Sequence, residues 1–214
     1  MKNKVTDSII QNKIIVIVRG VEREKLIPLA EAMYEGGIRL LEITYSADGK
    51  VSDEETADRI KMLSTHFEAR MYIGAGTVLT TKQVELTKKA GGRFIISPDA
   101  YDEVIKKTVE LNMVSIPGVY TPSEITAAQR AGADFVKIFP ATSLGASYVK
   151  FVKAPLSNVK MLVMGGITAD NMKDFEKAGA EGFGIGASII DREALAKENY
   201  QKITELALKH TSQL

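Results

Sequence analysis

The chain has 214 residues, of which 45% are hydrophobic, so it is long enough to bury a full core. Its 28 basic and 27 acidic side chains give a formal net charge of +1, which excludes a strong overall attraction to nucleic acid or to a membrane surface. It has no cysteine, which excludes disulfides, thiolate nucleophiles and zinc–sulfur sites. Without a signal-like N-terminus or an apolar run of about 18 residues, we expect a cytoplasmic protein with no membrane partner.

Short apolar segments rich in β-branched residues alternate with longer amphipathic segments along the chain. After a short leading helix over residues 1–11, we predict eight strands, each followed by a helix. The predicted strands are 14–18, 39–44, 71–74, 93–96, 114–116, 134–139, 160–164 and 182–186. The predicted helices are approximately 22–36, 52–66, 80–90, 101–111, 121–131, 146–154, 168–178 and 192–210.

Start and stop signals support several of these helices. Threonines 80, 121 and 168 are placed to cap helix N-termini, and glycines 91, 132 and 179 are placed to end helices.

Strict alternation of strand and helix predicts parallel strands that close into a (β/α)₈ TIM barrel with a short N-terminal helix. An open doubly wound sheet is the alternative. No linker or low-complexity segment interrupts the alternation, so we expect residues 1–214 to form one domain.

Three ionic side chains lie late in predicted strands that are otherwise apolar: Arg19, Glu42 and Lys137. The C-terminal ends of the strands are where TIM barrels carry their chemistry. Because side chains alternate between the faces of a strand, all three can point into one cavity of the barrel. The alternative is that each belongs to an edge strand or to a structural ion pair.

Lys137 shares its predicted face with two aromatic residues, Phe135 and Phe139. Loss of hydration and the nearby cation Arg19 would both lower the pKa of this lysine. A neutral amine is the nucleophile that forms a Schiff base, and Glu42 beside it could transfer protons.

Two glycine-containing loops follow the last two predicted strands, with Gly165 and Gly166 in the first and Gly186 and Ser188 in the second. Backbone N–H groups of such loops can bind a phosphate in this position of a barrel, although the same glycines could simply form tight turns.

Segment 74–77 lacks the third glycine of a dinucleotide fingerprint and the lysine of a P-loop, so we interpret it as a substrate-facing loop. The two histidines lie in predicted helices, so we expect no catalytic metal.

Seven motifs in this order resemble the bacterial 2-keto-3-deoxy-6-phosphogluconate aldolase family, which includes 4-hydroxy-2-oxoglutarate aldolases and a phosphogalactonate branch. The resemblance extends from about residue 10 to residue 195. The motifs are Leu-Glu-Ile-Thr at 41–44, Gly-Ala-Gly-Thr-Val-Leu at 74–79, Ile-Ser-Pro at 96–98, Ile-Pro-Gly at 116–118, Lys-Ile-Phe-Pro at 137–140, Gly-Gly-Ile at 165–167 and Gly-Ala-Ser at 186–188.

The resemblance implies a class I aldolase in which Lys137 forms a Schiff base with a pyruvate-type keto acid and Glu42 is the general acid/base. It further implies that the enzyme acts on small keto acids and sugar phosphates, needs no cofactor and forms a homotrimer. The resemblance assigns seven residues to the substrate: Thr77, Pro98, Phe139, Gly165, Gly166, Gly186 and Ser188. The strand pattern adds Arg19 and Thr44 to these.

The chain departs from many phosphogluconate enzymes at two positions. Ser46 stands where they have an arginine, and Met164 stands where they have a threonine before the glycine pair. Both features resemble the galactonate branch. The family motifs as a whole predict cleavage of the phosphogluconate substrate, with 4-hydroxy-2-oxoglutarate as a further substrate, and the two departures make the phosphogalactonate epimer the alternative. More distant alternatives are a phosphate-binding isomerase or decarboxylase that uses Lys137 only as a charged electrophile, and a sugar-phosphate sensor without activity.

Overall fold

The computed structural model describes all 214 residues and contains one sheet of nine parallel strands. In chain order the strands are β1 (Ile14–Val18), β2 (Leu40–Thr44), β3 (Tyr72–Gly76), β4 (Phe94–Ile96), β5 (Val114–Ile116), β6 (Gly118–Val119), β7 (Val136–Ile138), β8 (Met161–Met164) and β9 (Gly182–Ile185). They are hydrogen-bonded in the order β5-β4-β3-β2-β1-β9-β8-β7-β6.

Helices cover the outside of this sheet and alternate with the strands. They are α1 (Lys2–Asn12), α2 (Leu26–Glu35), α3 (Asp53–Phe67), α4 (Thr81–Lys89), α5 (Asp102–Glu110), α6 (Pro122–Arg130), α7 (Ala141–Lys153), α8 (Met172–Lys177), α9 (Arg192–Ala196) and α10 (Tyr200–Thr211), with a 3₁₀ turn at Arg23–Lys25. None of them combines the length and apolar character that crossing a membrane requires.

The two ends of the hydrogen-bonded order, β5 and β6, are consecutive pieces of one extended segment that is interrupted at Pro117. β5 pairs with β4 and β6 pairs with β7, so this segment brings the two ends of the sheet together and forms a nearly closed barrel. Proline has no N–H to donate, but the Pro117 carbonyl still accepts a hydrogen bond from the Lys137 N–H at 2.8 Å. The predicted TIM barrel is therefore confirmed, with its fifth strand divided in two.

Two hydrophobic clusters hold the barrel together. The larger cluster, of 50 buried residues, lies between the strands and the outer helices, and a second cluster of 11 fills the barrel interior. Val5 and Ile9 of α1 belong to the interior cluster, so α1 closes the N-terminal mouth of the barrel. Burial on both faces explains why the strands are almost continuously apolar in sequence.

Several predicted helix boundaries are confirmed and others are wrong. Thr80 and Thr121 cap helices as predicted, each within a capping box, but Thr168 does not cap, because α8 begins four residues later at Met172. The predicted last helix is two helices, since Glu198 between them has a left-handed φ of 54°. Helix α7 begins at Ala141, earlier than predicted, and is kinked at Gly145.

Candidate active site

Lys137 and Glu42 both point into the barrel interior near the C-terminal ends of their strands. Their neighbours on the same strand faces, Phe135 and Leu40, belong to the interior cluster. Lys137 is only 8% exposed and Glu42 is 2% exposed. The structure therefore brings together, in one buried region, the amine and the carboxylate that the sequence placed on separate strands.

Burial shifts the protonation of both groups towards their neutral forms. It raises the pKa of Glu42 to about 7, although Lys137 and Arg19 act against the rise. Burial also lowers the pKa of Lys137, with Glu42 opposing this shift and Arg19 reinforcing it. The Glu42 Oε2 atom is buried and has no hydrogen-bond partner in the chain, so it is free to interact with a bound molecule.

The space for the Glu42 carboxylate exists because residue 76 is glycine. A Cβ atom at this position would lie 1.6 Å from Glu42 Oε1, a distance that no side chain could occupy. The sequence pattern predicts a substrate-facing loop over residues 74–77. The structure assigns Gly76 to the last position of β3, where it makes room for the carboxylate.

Arg19 and Thr77 lie together at the rim of the barrel. The Arg19 Nη2 donates a hydrogen bond of 3.1 Å to Thr77 Oγ1, and Arg19 is exposed to solvent. The expectation of three ionic groups in one dry cavity is thus met by Lys137 and Glu42 but not by Arg19, because β1 ends before this residue. The Thr44 hydroxyl is turned towards the backbone and donates to the Val18 carbonyl at 3.4 Å.

The two phenylalanines expected beside Lys137 occupy different depths. Phe135 is fully buried in the interior cluster, whereas Phe139 is 40% exposed at the mouth of the barrel. The Lys137 Nζ lies 4.5 Å from the centre of the Phe139 ring. Pro98 is partly buried, and its carbonyl oxygen would be 2.3 Å from a Cβ at Gly118, so only glycine fits there.

The two glycine loops present free backbone donors. Gly165 and Gly166 have left-handed φ values of 93° and 79°, which favour glycine. The N–H groups of Gly166, Gly186 and Ser188 donate no hydrogen bond within the chain. The Ser188 hydroxyl donates to the Ile167 carbonyl at 3.2 Å and so connects the two loops. Backbone N–H groups without partners at the C-terminal end of a barrel are a suitable site for an anion.

Two residues outside the sequence motifs hold the first glycine loop. The Thr142 hydroxyl donates to the Gly165 carbonyl at 3.1 Å. Asn171 donates to the Gly166 carbonyl and accepts from the Thr168 N–H, both at 2.9 Å. The position of Asn171 just before α8 is a signal that could have been read as a cap. Thr142 has no comparable signal, since its partner lies 23 residues away in sequence.

Neither histidine lies near these groups. His66 on α3 contacts Glu31, and His210 on α10 is buried, with Nδ1 close to the Leu206 carbonyl. No three histidine, aspartate or glutamate side chains come together as a possible metal site.

A buried amine and a buried carboxylate at the C-terminal end of a parallel barrel are the arrangement of a (β/α)₈ barrel enzyme. The family model of KDPG and KHG aldolase matches residues 5–206. The chain therefore belongs to the KDPG/KHG aldolase family, as its motifs predicted, and is a carbon–carbon lyase.

Several named relatives match most of the chain. A probable 2-dehydro-3-deoxy-6-phosphogalactonate aldolase of Rhizobium meliloti is 37% identical over 84% of this chain and 82% of its own length. The KHG/KDPG aldolase of Escherichia coli K12 is 31% identical over 90% of this chain and 87% of its own. A crystal structure of KDPG aldolase from Legionella pneumophila, with pyruvate captured as a covalent carbinolamine, has a TM-score of 0.85, 30% identity and coverage of 95% and 96% of the two chains.

Proposed function

We propose that the chain is a class I aldolase that cleaves a 2-keto-3-deoxy-6-phospho sugar acid into pyruvate and glyceraldehyde 3-phosphate through a Schiff base at Lys137. The observation that carries the proposal is the buried lysine, with its lowered pKa, in the same interior region as the unpartnered Glu42 carboxylate. The similar Legionella enzyme, in which pyruvate was captured as a carbinolamine, supports the same chemistry here.

In this mechanism the neutral Nζ of Lys137 attacks the C2 carbonyl, and loss of water gives a protonated imine. The imine accepts the electron pair of the C3–C4 bond. Glu42 takes the proton of the C4 hydroxyl, directly or through a water, and the bond breaks to release the aldehyde. The remaining enamine takes up a proton and is hydrolysed to pyruvate and free lysine. Addition follows the same steps in reverse.

The remaining predicted residues are proposed to hold the two ends of the substrate. Backbone donors of Gly165, Gly166, Gly186 and Ser188 would bind the phosphate, because several of them have no partner in the chain. Arg19, oriented by its hydrogen bond to the Thr77 hydroxyl, would bind the keto-acid carboxylate at the rim. The side chains proposed to line the pocket between these ends are Thr44, Thr77, Pro98 and Phe139.

Between the two C4 epimers we propose the galactonate form as the preferred substrate, in place of the gluconate form that the motifs favoured first. The support is the 37% identical relative named as a phosphogalactonate aldolase, together with Ser46 and Met164. The gluconate epimer is the second candidate, supported by the KHG/KDPG aldolase of E. coli. Unphosphorylated 4-hydroxy-2-oxoglutarate is the third candidate substrate of the same site.

A coupled assay of pyruvate release with both phosphorylated epimers and with 4-hydroxy-2-oxoglutarate tests this assignment. We expect kcat/KM for the galactonate epimer to exceed that for the gluconate epimer by about tenfold or more, since one hydroxyl contact in a buried site is worth about 1–3 kcal/mol. The reverse order would assign the chain to the gluconate substrate. Absence of pyruvate release from all three compounds would contradict the proposed reaction.

We further propose that the enzyme acts in the cytoplasm on these small molecules, without a cofactor, nucleic acid or membrane partner, and that it assembles as a homotrimer. Exposed aromatic side chains support an assembly. Phe151 on α7 is 76% exposed, and Tyr101 and Tyr120 in loops at the C-terminal end of the barrel are 46% and 45% exposed. A contiguous exposed apolar surface is typical of sites that bind another chain, and these residues are the candidates for such a surface.

Thr142 and Asn171 are predicted to position the phosphate loop, because they bind its carbonyls and leave its N–H groups free. We expect Thr142→Val and Asn171→Ala each to raise KM for the phosphorylated substrate about three- to tenfold, because each loses one hydrogen bond to a carbonyl of the glycine pair. The kcat value and the kinetics with 4-hydroxy-2-oxoglutarate should change little, and Thr142→Ser should restore KM.

Thr126→Val is the matched control, since it removes a hydroxyl-to-carbonyl bond on the surface of α6. Equal losses with phosphorylated and unphosphorylated substrates would argue against this role.

A further inference from the structure

A polar cleft opens at the N-terminal mouth of the barrel, at the end opposite to Lys137 and Glu42. It has a volume of about 400 Å³ and lies between α1 and the segment that leads from α3 into β3. Only two of its nine lining residues are hydrophobic. None of them takes part in the proposed aldolase reaction, so the cleft is not explained by that function.

Arg39, at the start of β2, is held in a fixed orientation beside this cleft. Its Nη1 donates to the carbonyls of Tyr34 and Ile38 at 2.9 and 2.8 Å. Its guanidinium carbon lies 4.1 Å from the centre of the Tyr34 ring. The Nε and Nη2 atoms have no partner in the chain. A planar guanidinium with two free donors is suited to an oxyanion, and prior ordering by the protein reduces the entropy lost on binding.

Two further cations face the same space. The Arg70 guanidinium carbon lies 4.9 Å from the Phe67 ring centre, and its only carboxylate contact, to Glu31, is long at 3.4 Å. Lys4 on α1 is exposed and forms no ion pair. Asp7 is the single carboxylate among the lining residues. The cleft therefore has a local excess of positive charge, although the whole chain carries only +1.

Neutral donors complete the lining. The Tyr72 hydroxyl and the Gln11 amide lie at the cleft without a hydrogen-bond partner in the chain. The Ser8 hydroxyl accepts a bond of 3.0 Å from Asn12 Nδ2 and keeps its own proton available. Three cations and three neutral donors around a space of this size match the acceptor-rich surface of a compact anion with several charges.

We propose that this cleft is a binding site for a small multivalent oxyanion, the chemistry shared by phosphorylated metabolites and polycarboxylates. Such a ligand would contact α1 and the starts of β2 and β3 together. It would stabilise the folded chain, because α1 closes this mouth of the barrel. The site is separate from the proposed catalytic end, so it does not depend on the aldolase assignment.

Calorimetric titration of the full chain with pyrophosphate, and separately with citrate, at constant ionic strength tests the proposal. We expect wild type to bind at least one of the two, and Lys4→Gln/Arg70→Gln to bind it about tenfold more weakly or worse, a change equivalent to about 1.4 kcal/mol. The matched control is Lys61→Gln/Arg130→Gln, which removes the same charge from side chains that lie outside the cleft and form no ion pair. The control should bind as wild type does.

Comparison of the two anions also indicates whether phosphate or carboxylate chemistry is preferred. Should the double variant not fold, as judged by circular dichroism, the single Lys4→Gln change carries the test with an expected weakening of about threefold. Equal affinities of the cleft variant and the control would overturn the proposal, because the anion would then bind elsewhere. Failure of wild type to bind either anion would overturn it as well.

Discussion

Replacement of Lys137 by arginine is expected to lower kcat/KM by about 1,000-fold or more, because the guanidinium keeps the charge but cannot form an imine. Treatment of wild type with pyruvate and borohydride should add one reduced pyruvate to the peptide that contains Lys137, as measured by mass spectrometry. The Lys137→Arg enzyme should show no such addition. This result separates an aldolase from an isomerase or decarboxylase that uses the lysine only as a cation.

A buried arginine could perturb folding, since it brings a permanent charge to a residue that is 8% exposed. Lys137→Met therefore accompanies it, because methionine has a similar length without charge, and it should be folded and inactive. Lys160→Arg is the matched control: its Nζ also lies near a phenylalanine, 5.5 Å from the Phe135 ring centre, but the residue is exposed. Substantial turnover by Lys137→Arg would contradict the Schiff-base mechanism.

Replacement of Glu42 by glutamine is expected to reduce kcat by about 100- to 10,000-fold, the usual contribution of a positioned acid or base. The pyruvate adduct at Lys137 should still form, because the amine remains. In wild type, kcat/KM should rise with pH through about 7, as the buried carboxyl of the free enzyme loses its proton and becomes a base. The glutamine variant should lack this rise. An unchanged pH profile in Glu42→Gln would show that another group titrates.

Glu42→Gln, which is expected to lower activity, should raise the stability of the folded state at alkaline pH. The pKa of Glu42 is raised from its ordinary value of 4.5 to about 7 in the fold, so the folded state binds more protons than the unfolded state between these values. The stability contributed by the protonated form is present below pH 4.5 and is lost as pH rises through 7. Glu42→Gln does not titrate, so at pH 8 it should be more stable than wild type by up to about 3 kcal/mol.

Urea unfolding at pH 5 and pH 8 measures this difference. An equal difference in stability between Glu42→Gln and wild type at the two pH values would contradict the buried, neutral carboxyl. A gain in stability together with a loss of activity is what a strained functional group at an active site produces. It would indicate that Glu42 is retained for chemistry and not for the fold.

Local sequence patterns were sufficient to predict the barrel and its two central groups. The alternation of apolar and amphipathic segments reports which elements are buried, and the period of two along a strand reports which side chains share a face. Lys137 and Glu42 could be recognised because each is an ionic residue late in an apolar strand. The caps at Thr80 and Thr121 could be recognised because both partners of a capping hydrogen bond lie within one turn of helix.

Other features depend on contacts between segments that are far apart in the chain, which a local pattern does not encode. Gly76 makes space for Glu42 on a neighbouring strand, and Thr142 binds a carbonyl 23 residues away. The exposure of Arg19 follows from where β1 ends relative to the rim. The cleft beside Arg39 exists only because α1 packs across the mouth of the barrel. The hydrophobic periodicity of a segment can be read from its own residues. The space between side chains is fixed only when segments that are distant in the chain pack against one another.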